Sequence, residues 1–204
     1  AADAAMPEME TLFGARLVDM NMATDITLKI MEPFGSLKPG DTFHFTAASG
    51  SRSLGSLLEV KGGQVIAVDQ DGNPALVANT VGKGRTLLCA YPIESYLATQ
   101  AGVFERPEQT HRIYEAFREW TGVRPLFKTD NPSVEATVLQ GDRSGYVVLV
   151  NHGSKAARIT VTSLLDIIAL RQITEGDPKS LRLEGGAWLM ELEPYDGAVV
   201  EWTR

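Results

Sequence analysis

The sequence is poor in cysteine, and this scarcity limits the chemistry and the compartment that can be expected. The 204 residues include one cysteine, Cys89, so no disulfide can form within the chain. A chain without disulfides fits a reducing compartment. The first residues also lack the positively charged and apolar regions of a signal peptide, which favours a cytoplasmic protein. The abrupt start suggests a fragment of a longer protein.

Clustered basic charge and long apolar runs are missing as well. The formal net charge is −7, and Lys and Arg are scattered along the chain. Because nucleic-acid-binding domains carry a basic patch, no nucleic-acid partner is expected. No apolar run approaches the roughly 20 residues of a membrane span, so no membrane partner is expected either. Length and composition fit one or two globular domains.

No pattern predicts a metal or a cofactor. The segment Asp69–Asn73 starts like a calcium-binding loop, but its glycine is misplaced, which favours a hairpin turn with Asp71–Gly72 as a type I′ core. The run Gly82–Gly84 lacks the following Ser or Thr and the helix of a phosphate-binding loop. The histidines lack the spacing of zinc ligands. They are His44, His111 and His152.

No catalytic residue is predicted. A catalytic cysteine needs an accessible thiolate beside a base, whereas Cys89 lies in the apolar run LLCAY and is interpreted as buried. Glycoside hydrolysis needs two carboxylates about 5–10 Å apart. Glu191 and Glu193 alternate with apolar residues, which predicts that both lie on the solvent face of a strand.

The clearest positive pattern is a β-hairpin over Asn73–Tyr96. Two apolar runs of strand length flank Gly82–Gly84, and Pro92 ends the second run before a short helix begins. This hairpin is predicted to lie at the centre of the first half of the chain.

Further strands and one helix complete the first half. Alternation predicts strands at Ile26–Met31 and Thr42–Ala47, and a glycine turn predicts a hairpin joining Ser56–Val60 to Gln64–Val68. The apolar spacing in Pro107–Thr121 predicts an amphipathic helix, ended by the glycine that follows.

The second half is predicted to be a small antiparallel β-sandwich. The polar segment Phe127–Pro132 is the predicted boundary between a first domain over residues 1–126 and a second over residues 127–204. Short strands at regular spacing favour a sandwich. The predicted strands are Val134–Leu139, Gly145–Asn151, Arg158–Thr162, Leu181–Leu183, Ala187–Leu192 and Ala198–Trp202. The run Leu164–Leu170 is ambiguous between strand and helix, and a strand or loop is favoured.

Three aromatic residues near the end are candidate carbohydrate contacts. Trp188, Tyr195 and Trp202 lie on the last two predicted strands and the turn that would join them as a hairpin. Aromatic platforms can bind sugars, but both tryptophans share the apolar phase of their strands. That phase favours the core over a binding platform.

Three stretches resemble a known group of enzymes. They are GNPALVANTVGKGRTLLCAYPIE from Gly72, IYEAFREWTGVRPLF from Ile113 and VEATVLQGDRSGYVVLVNH from Val134. They resemble the C-terminal region of TIM-barrel glycoside hydrolases of the β-galactosidase/cellulase superfamily. The resemblance covers the chain from about Leu12 to its end. In that family the barrel is followed by a flavodoxin-like domain similar to class I glutamine amidotransferases, often called the trimerisation domain, and then by a small β domain.

The resemblance implies an α+β, β-rich fold: a partial flavodoxin/amidotransferase-like α/β part followed by a small antiparallel β-sandwich. The catalytic glutamates of the family lie in the barrel, and nothing in this sequence matches a barrel. The front half of the amidotransferase-like domain and its Cys–His–Glu set are missing too. No catalytic or binding residue is therefore carried over.

The function hypothesis is a non-catalytic accessory region of a glycoside hydrolase. It would pack on the TIM-barrel catalytic domain of the parent enzyme or mediate homo-oligomerisation, without a cofactor. One alternative is a carbohydrate-binding module that uses Trp188, Tyr195 and Trp202. A further alternative is a free-standing thiol amidohydrolase, in which Cys89 would be reactive.

Overall fold

The structure is a computed structural model that describes residues 7–46, 53–100, 109–174 and 179–204. Its contacts divide the chain into two compact units, the first ending at Val123 and the second beginning at Arg124. The predicted boundary at residues 126/127 lies slightly later. The polar segment that suggested it begins with a strand, Phe127–Thr129, which belongs to the second unit and buries Phe127.

The first unit contains three helices and seven strands among its described residues. They are α1 (Pro7–Phe13), β1 (Ala15–Ala23), β2 (Asp25–Ile30), β3 (Thr42–Thr46), β4 (Ser53–Val60), β5 (Gln64–Val68), β6 (Pro74–Val81), β7 (Gly84–Cys89), α2 (Ile93–Ala98) and α3 (His111–Thr121). The described part of the second unit contains eight strands. They are β8 (Phe127–Thr129), β9 (Val134–Gln140), β10 (Ser144–Asn151), β11 (Ala157–Ser163), β12 (Ala169–Gln172), β13 (Lys179–Ser180), β14 (Ala187–Leu192) and β15 (Gly197–Thr203).

The first unit is built on a five-stranded sheet of order β3-β2-β5-β6-β7. The predicted central hairpin is confirmed: β6 pairs with β7, Val81 lies opposite Gly84, and Gly82 with Lys83 forms the turn. Buried side chains of this sheet, such as Ile26, make up much of the core of the unit.

The predicted hairpin between β4 and β5 is wrong. β4 pairs with β1 in a separate two-stranded sheet, whereas β5 pairs with β2 and β6. The carbonyl of Gly14 accepts hydrogen bonds from the amides of Lys61 (2.7 Å) and Gly63 (3.0 Å), which holds the end of β4 beside the start of β1. A Cβ on Gly14, whose φ is +64°, would lie 2.4 Å from the Gly63 nitrogen, so glycine is required for this approach.

The turn between β5 and β6 is a turn as predicted, but not of type I′. A type I′ turn needs positive φ at both central residues. Gly72 has a φ of +84°, while Asp71 is not among the described non-glycine residues with positive φ. The Gly72 amide donates to the Asp69 carbonyl at 3.1 Å, so Gly72 closes a turn that begins at Asp69.

Helix α3 begins at His111 rather than at Pro107, and residues 107 and 108 lie outside the described part of the chain. Its end is as predicted, because Gly122 adopts the left-handed conformation with a φ of +76°. Trp120 packs against Phe34 with ring centroids 5.2 Å apart, so the helix covers the loop between β2 and β3.

The second unit is a sandwich of two antiparallel sheets that share one hydrophobic core. The sheet orders are β13-β12-β15-β10-β9 and β14-β11-β8. The predicted hairpin of the last two strands is wrong, because β14 and β15 lie in different sheets and the segment between them crosses the sandwich. Tyr195 takes a φ of +56° in this crossing. Leu181–Leu183 is not a strand, since only Lys179–Ser180 pairs there.

The fold class is confirmed as β-rich, with 52% strand and 13% helix, and antiparallel. The flavodoxin-like part is not confirmed. Every strand pair of the described residues is antiparallel, whereas flavodoxin-like sheets are built from parallel strands. Of the helices in the described ranges, none has the length and apolar character needed to span a membrane.

Candidate functional site

Cys89 ends β7, and its environment opposes reactivity. Its Sγ donates a hydrogen bond to the Tyr91 carbonyl at 3.1 Å. The residue keeps some exposed surface, but the thiol itself is desolvated. This burial raises the pKa of Cys89 to about 11, and the charge of Glu94 adds to the rise. A thiol with this pKa stays protonated at neutral pH, so it offers no thiolate nucleophile.

The carboxyl groups with clearly shifted pKa values are all shifted downwards within the described ranges. A hydrogen bond from Lys61 holds the pKa of Glu59 below its usual range. A hydrogen bond from His152, at 3.0 Å, does the same for the pKa of Glu135. A general acid needs a raised pKa instead. Glu191 and Glu193 are exposed, as predicted.

The histidines are dispersed over the surface. His44 shares a 2.9 Å hydrogen bond with the Thr27 hydroxyl on the neighbouring strand, His111 is exposed at the start of α3, and His152 contacts Glu135. The described residues contain no group of three His, Cys, Asp or Glu side chains able to hold a metal ion.

Asp69 is a buried carboxylate, only 4% exposed, at the start of the turn between β5 and β6. Its Oδ1 accepts hydrogen bonds from the amides of Asp71 (2.9 Å) and Asn73 (2.8 Å). Its Oδ2 accepts from Asn73 Nδ2 (3.0 Å) and the Tyr91 hydroxyl (2.8 Å). Burial alone would raise the pKa of Asp69, but the hydrogen bonds outweigh it and the pKa is lowered. Both oxygens therefore stabilise the turn through hydrogen bonds from donors of the chain itself.

The three aromatic residues that were candidate carbohydrate contacts do not form one surface. Trp188 and Trp202 are 2% and 0% exposed and come from the two different sheets. Their ring centroids lie 5.8 and 6.0 Å, respectively, from the ring centroid of Phe127. Tyr195 is 73% exposed in the crossing between β14 and β15. The tryptophan rings belong to the core, as the phase of their strands favours, so they cannot stack on a sugar.

An exposed apolar surface, absent from the sequence predictions, lies on the two-stranded sheet. Met20 and Met22 are 56% and 59% exposed on one face of β1, and Leu54 of β4, opposite Met22, is 48% exposed. We call these three residues the methionine surface. The alternation of DMNM in β1 could have indicated a strand with one apolar face. Contiguous exposed apolar residues mark interaction sites more often than isolated ones do.

No known family profile matches the sequence, and no curated protein matches it significantly. Solved structures do match. A cold-adapted β-galactosidase from Rahnella sp. R3 superposes with a TM-score of 0.65 and 15% identity, over 99% of this chain and 26% of that chain. Gan42B, a GH42 β-galactosidase from G. stearothermophilus, superposes with a TM-score of 0.59 and 16% identity, over 97% of this chain and 25% of that chain.

A third structure comes from an enzyme of different specificity. Alpha-L-fucosidase isoenzyme 2 from Paenibacillus thiaminolyticus gives a TM-score of 0.59 and 12% identity, over 94% of this chain and 33% of that chain. At these identities the likeness concerns the fold alone. The chain spans about a quarter of the length of the β-galactosidases that it resembles.

Proposed function

We propose that this chain is a non-catalytic, C-terminal accessory region of a glycoside hydrolase, and that it packs on the catalytic TIM barrel or supports oligomer formation. One observation carries the proposal. Nearly the whole chain, 94–99%, superposes on a part of known glycoside hydrolases that is only 25–33% of their length. A fold that recurs as a minor part of such enzymes fits a supporting role.

The chemistry of the described residues is consistent with that role. Glycoside hydrolysis requires a carboxylic acid whose pKa is raised, next to a second carboxylate. The clearly shifted carboxyl groups of the described residues have lowered pKa values, among them Glu59 and Glu135. The raised pKa of Cys89 also argues against the thiol amidohydrolase alternative.

The methionine surface supports a packing role. If Met20, Met22 and Leu54 stayed exposed in the intact parent protein, they would lower its solubility. Another surface is therefore expected to cover them. Methionine adapts its shape to a partner because its side chain is unbranched and flexible. We propose that the barrel of the parent enzyme covers this surface. The trimerisation and amidotransferase-like roles stay predictions.

Activity measurements test the non-catalytic role. The purified chain is expected to hydrolyse no nitrophenyl glycoside, while the intact reading frame that encodes it is expected to contain an upstream barrel with two strand-end glutamates and to be active. Hydrolysis by the purified chain, lost when one of its own carboxylates is substituted, would contradict the proposal.

Association of separate fragments tests the packing role. The barrel part of that reading frame and this chain would be produced as two polypeptides and their affinity measured by sedimentation. Met20→Asp with Met22→Asp should weaken association about tenfold or more, because an ionised carboxylate would be buried in the contact. Ile168→Asp is the matched control, since Ile168 is 78% exposed but lies in the second unit. Equal weakening by both variants would reject the methionine surface as the contact.

A further inference from the structure

The second unit contains a cavity that the accessory role does not use. It lies beside β14, an edge strand of the three-stranded sheet. Its volume is about 370 Å³, which falls in the range of small-molecule sites. We call it the β14 cavity. The cavity is lined by Thr160, Arg182, Glu184, Ala187, Trp188 and Leu189.

A tight turn positions the polar part of the cavity. Glu184 and Ala187 exchange backbone hydrogen bonds of 2.8 and 2.9 Å, and Gly185 and Gly186 between them have φ values of +57° and +81°. Two consecutive positive φ values form a type I′ turn, which only glycine adopts easily at both positions. The turn therefore holds Glu184 next to the first residue of β14.

Arg182 and Glu184 supply a donor and an acceptor at the rim. The Nε of Arg182 donates to Oε1 of Glu184 at 2.6 Å, and their side chains are 87% and 67% exposed. A guanidinium has further N–H donors and a carboxylate a second oxygen. The pair can therefore hydrogen-bond a ligand without losing its own contact. Because the two charges cancel, the pair favours a neutral ligand over an anion.

The strand residues of the lining add apolar surface to the cavity. Leu189, 59% exposed, lies opposite Thr160 on the outer face of β14 and β11, so a methyl-rich side chain and a hydroxyl-bearing side chain stand next to each other. Trp188 also borders the cavity, but its ring points to the inner face of β14 and packs on Phe127 in the core. A sugar ring has this mixed character, with C–H groups on its faces and hydroxyls around its rim.

We propose that the β14 cavity is a binding site for a neutral monosaccharide unit. The hydroxyls of the sugar donate to the Glu184 carboxylate and accept from the Arg182 guanidinium, and its C–H face packs on Leu189. The site differs from the aromatic platform that was the alternative in the sequence, because the buried ring of Trp188 presents no face to a sugar. It does not depend on the accessory role, since it would bind sugar whether or not a barrel is present.

Heteronuclear NMR on the whole chain tests the site. D-galactose, D-glucose, D-mannose and L-fucose would be titrated to about 100 mM, so that dissociation constants in the millimolar range can be measured. At least one sugar should produce saturable shifts of the amide signals of residues 182–189. Absence of saturable shifts with all four sugars would overturn the proposal.

Variants of the ion pair locate the binding. Arg182→Ala and Glu184→Gln should each weaken the affinity about tenfold or more, because each removes hydrogen bonds to a charged group. Arg171→Ala is the matched control, since Arg171 forms an exposed ion pair with Glu201 in the other sheet. Unchanged affinity in Arg182→Ala, or tighter binding of phosphate than of any sugar, would also overturn the proposal. Both variants change highly exposed side chains, so circular dichroism should show an intact fold.

Discussion

The hydroxyl of Tyr91 donates a 2.8 Å hydrogen bond to Oδ2 of Asp69, and both residues are buried. The bond joins the segment after β7 to the turn between β5 and β6. Asn21 of β1 donates to the same hydroxyl at 3.4 Å, so the network extends to the two-stranded sheet. Burial and the charge of Asp69 both raise the pKa of Tyr91, which keeps the hydroxyl protonated as the donor.

Removal of this hydroxyl should destabilise the first unit. Tyr91→Phe keeps the ring but removes one of the donors to the Asp69 carboxylate, so we expect a loss of about 2 kcal/mol in the free energy of unfolding, measured in urea. Tyr195→Phe is the control. Its ring is 73% exposed, and the change should stay within about 0.5 kcal/mol. Equal stability of Tyr91→Phe and the unchanged protein would mean that the bond contributes nothing in solution.

Asp69 should make stability depend on pH in the acid range. Its pKa is lowered in the folded chain, so its contribution is complete above the ordinary aspartate pKa of about 3.9 and is lost as the pH falls through the lower folded pKa. The stability difference between the unchanged protein and Asp69→Asn should therefore be largest at neutral pH and shrink in acid. Urea unfolding at several pH values measures it. A difference that does not change with pH would contradict this assignment.

Cys89 should be almost unreactive in the folded chain. Raising the thiol pKa from 9.0 to about 11 lowers the thiolate fraction at neutral pH about a hundredfold. Iodoacetamide labelling, followed by mass spectrometry, should therefore be at least about a hundredfold slower in buffer than in urea. Cys89→Ser, which has no thiol, serves as the negative control for labelling at other residues. Rapid labelling of the folded chain would restore the thiol amidohydrolase alternative.

Local pattern predicted strands better than it predicted their partners. In β3, Phe43 and Phe45 point inward and His44 outward, as the alternation indicates. The hairpin of β6 and β7 was predictable because two residues join its strands. The partner of β4 was not, since its pairing with β1 depends on the contact of Gly14 with Lys61, which are far apart in sequence. A glycine turn marks a reversal of the chain but does not say which sheet receives the next strand.

The candidate sites show the same limit. The apolar phase of Trp188 and Trp202 predicted their burial, and the sequence run around Cys89 predicted an inert thiol environment. The β14 cavity was not predictable, because Arg182 lies in a segment that reads as a strand and acts with Glu184 only through the turn that follows. Such a site depends on the conformation of a connection, and short-range periodicity carries no information about it.

Gly35 should be harder to replace than Gly82, another turn glycine of the first unit with a positive φ. The φ of Gly35 is +54°, and a Cβ there would lie 2.4 Å from the Ala116 carbonyl oxygen of α3. Gly82 has nearly the same φ, +58°, with no atom within 4 Å of its Cβ position. Both alanine variants carry the cost of positive φ, about 1 kcal/mol, but only Gly35→Ala also forces α3 away from the loop, which should add about 1–3 kcal/mol. Urea unfolding of both variants measures the difference. Equal losses would show that α3 does not pack against Gly35 in solution.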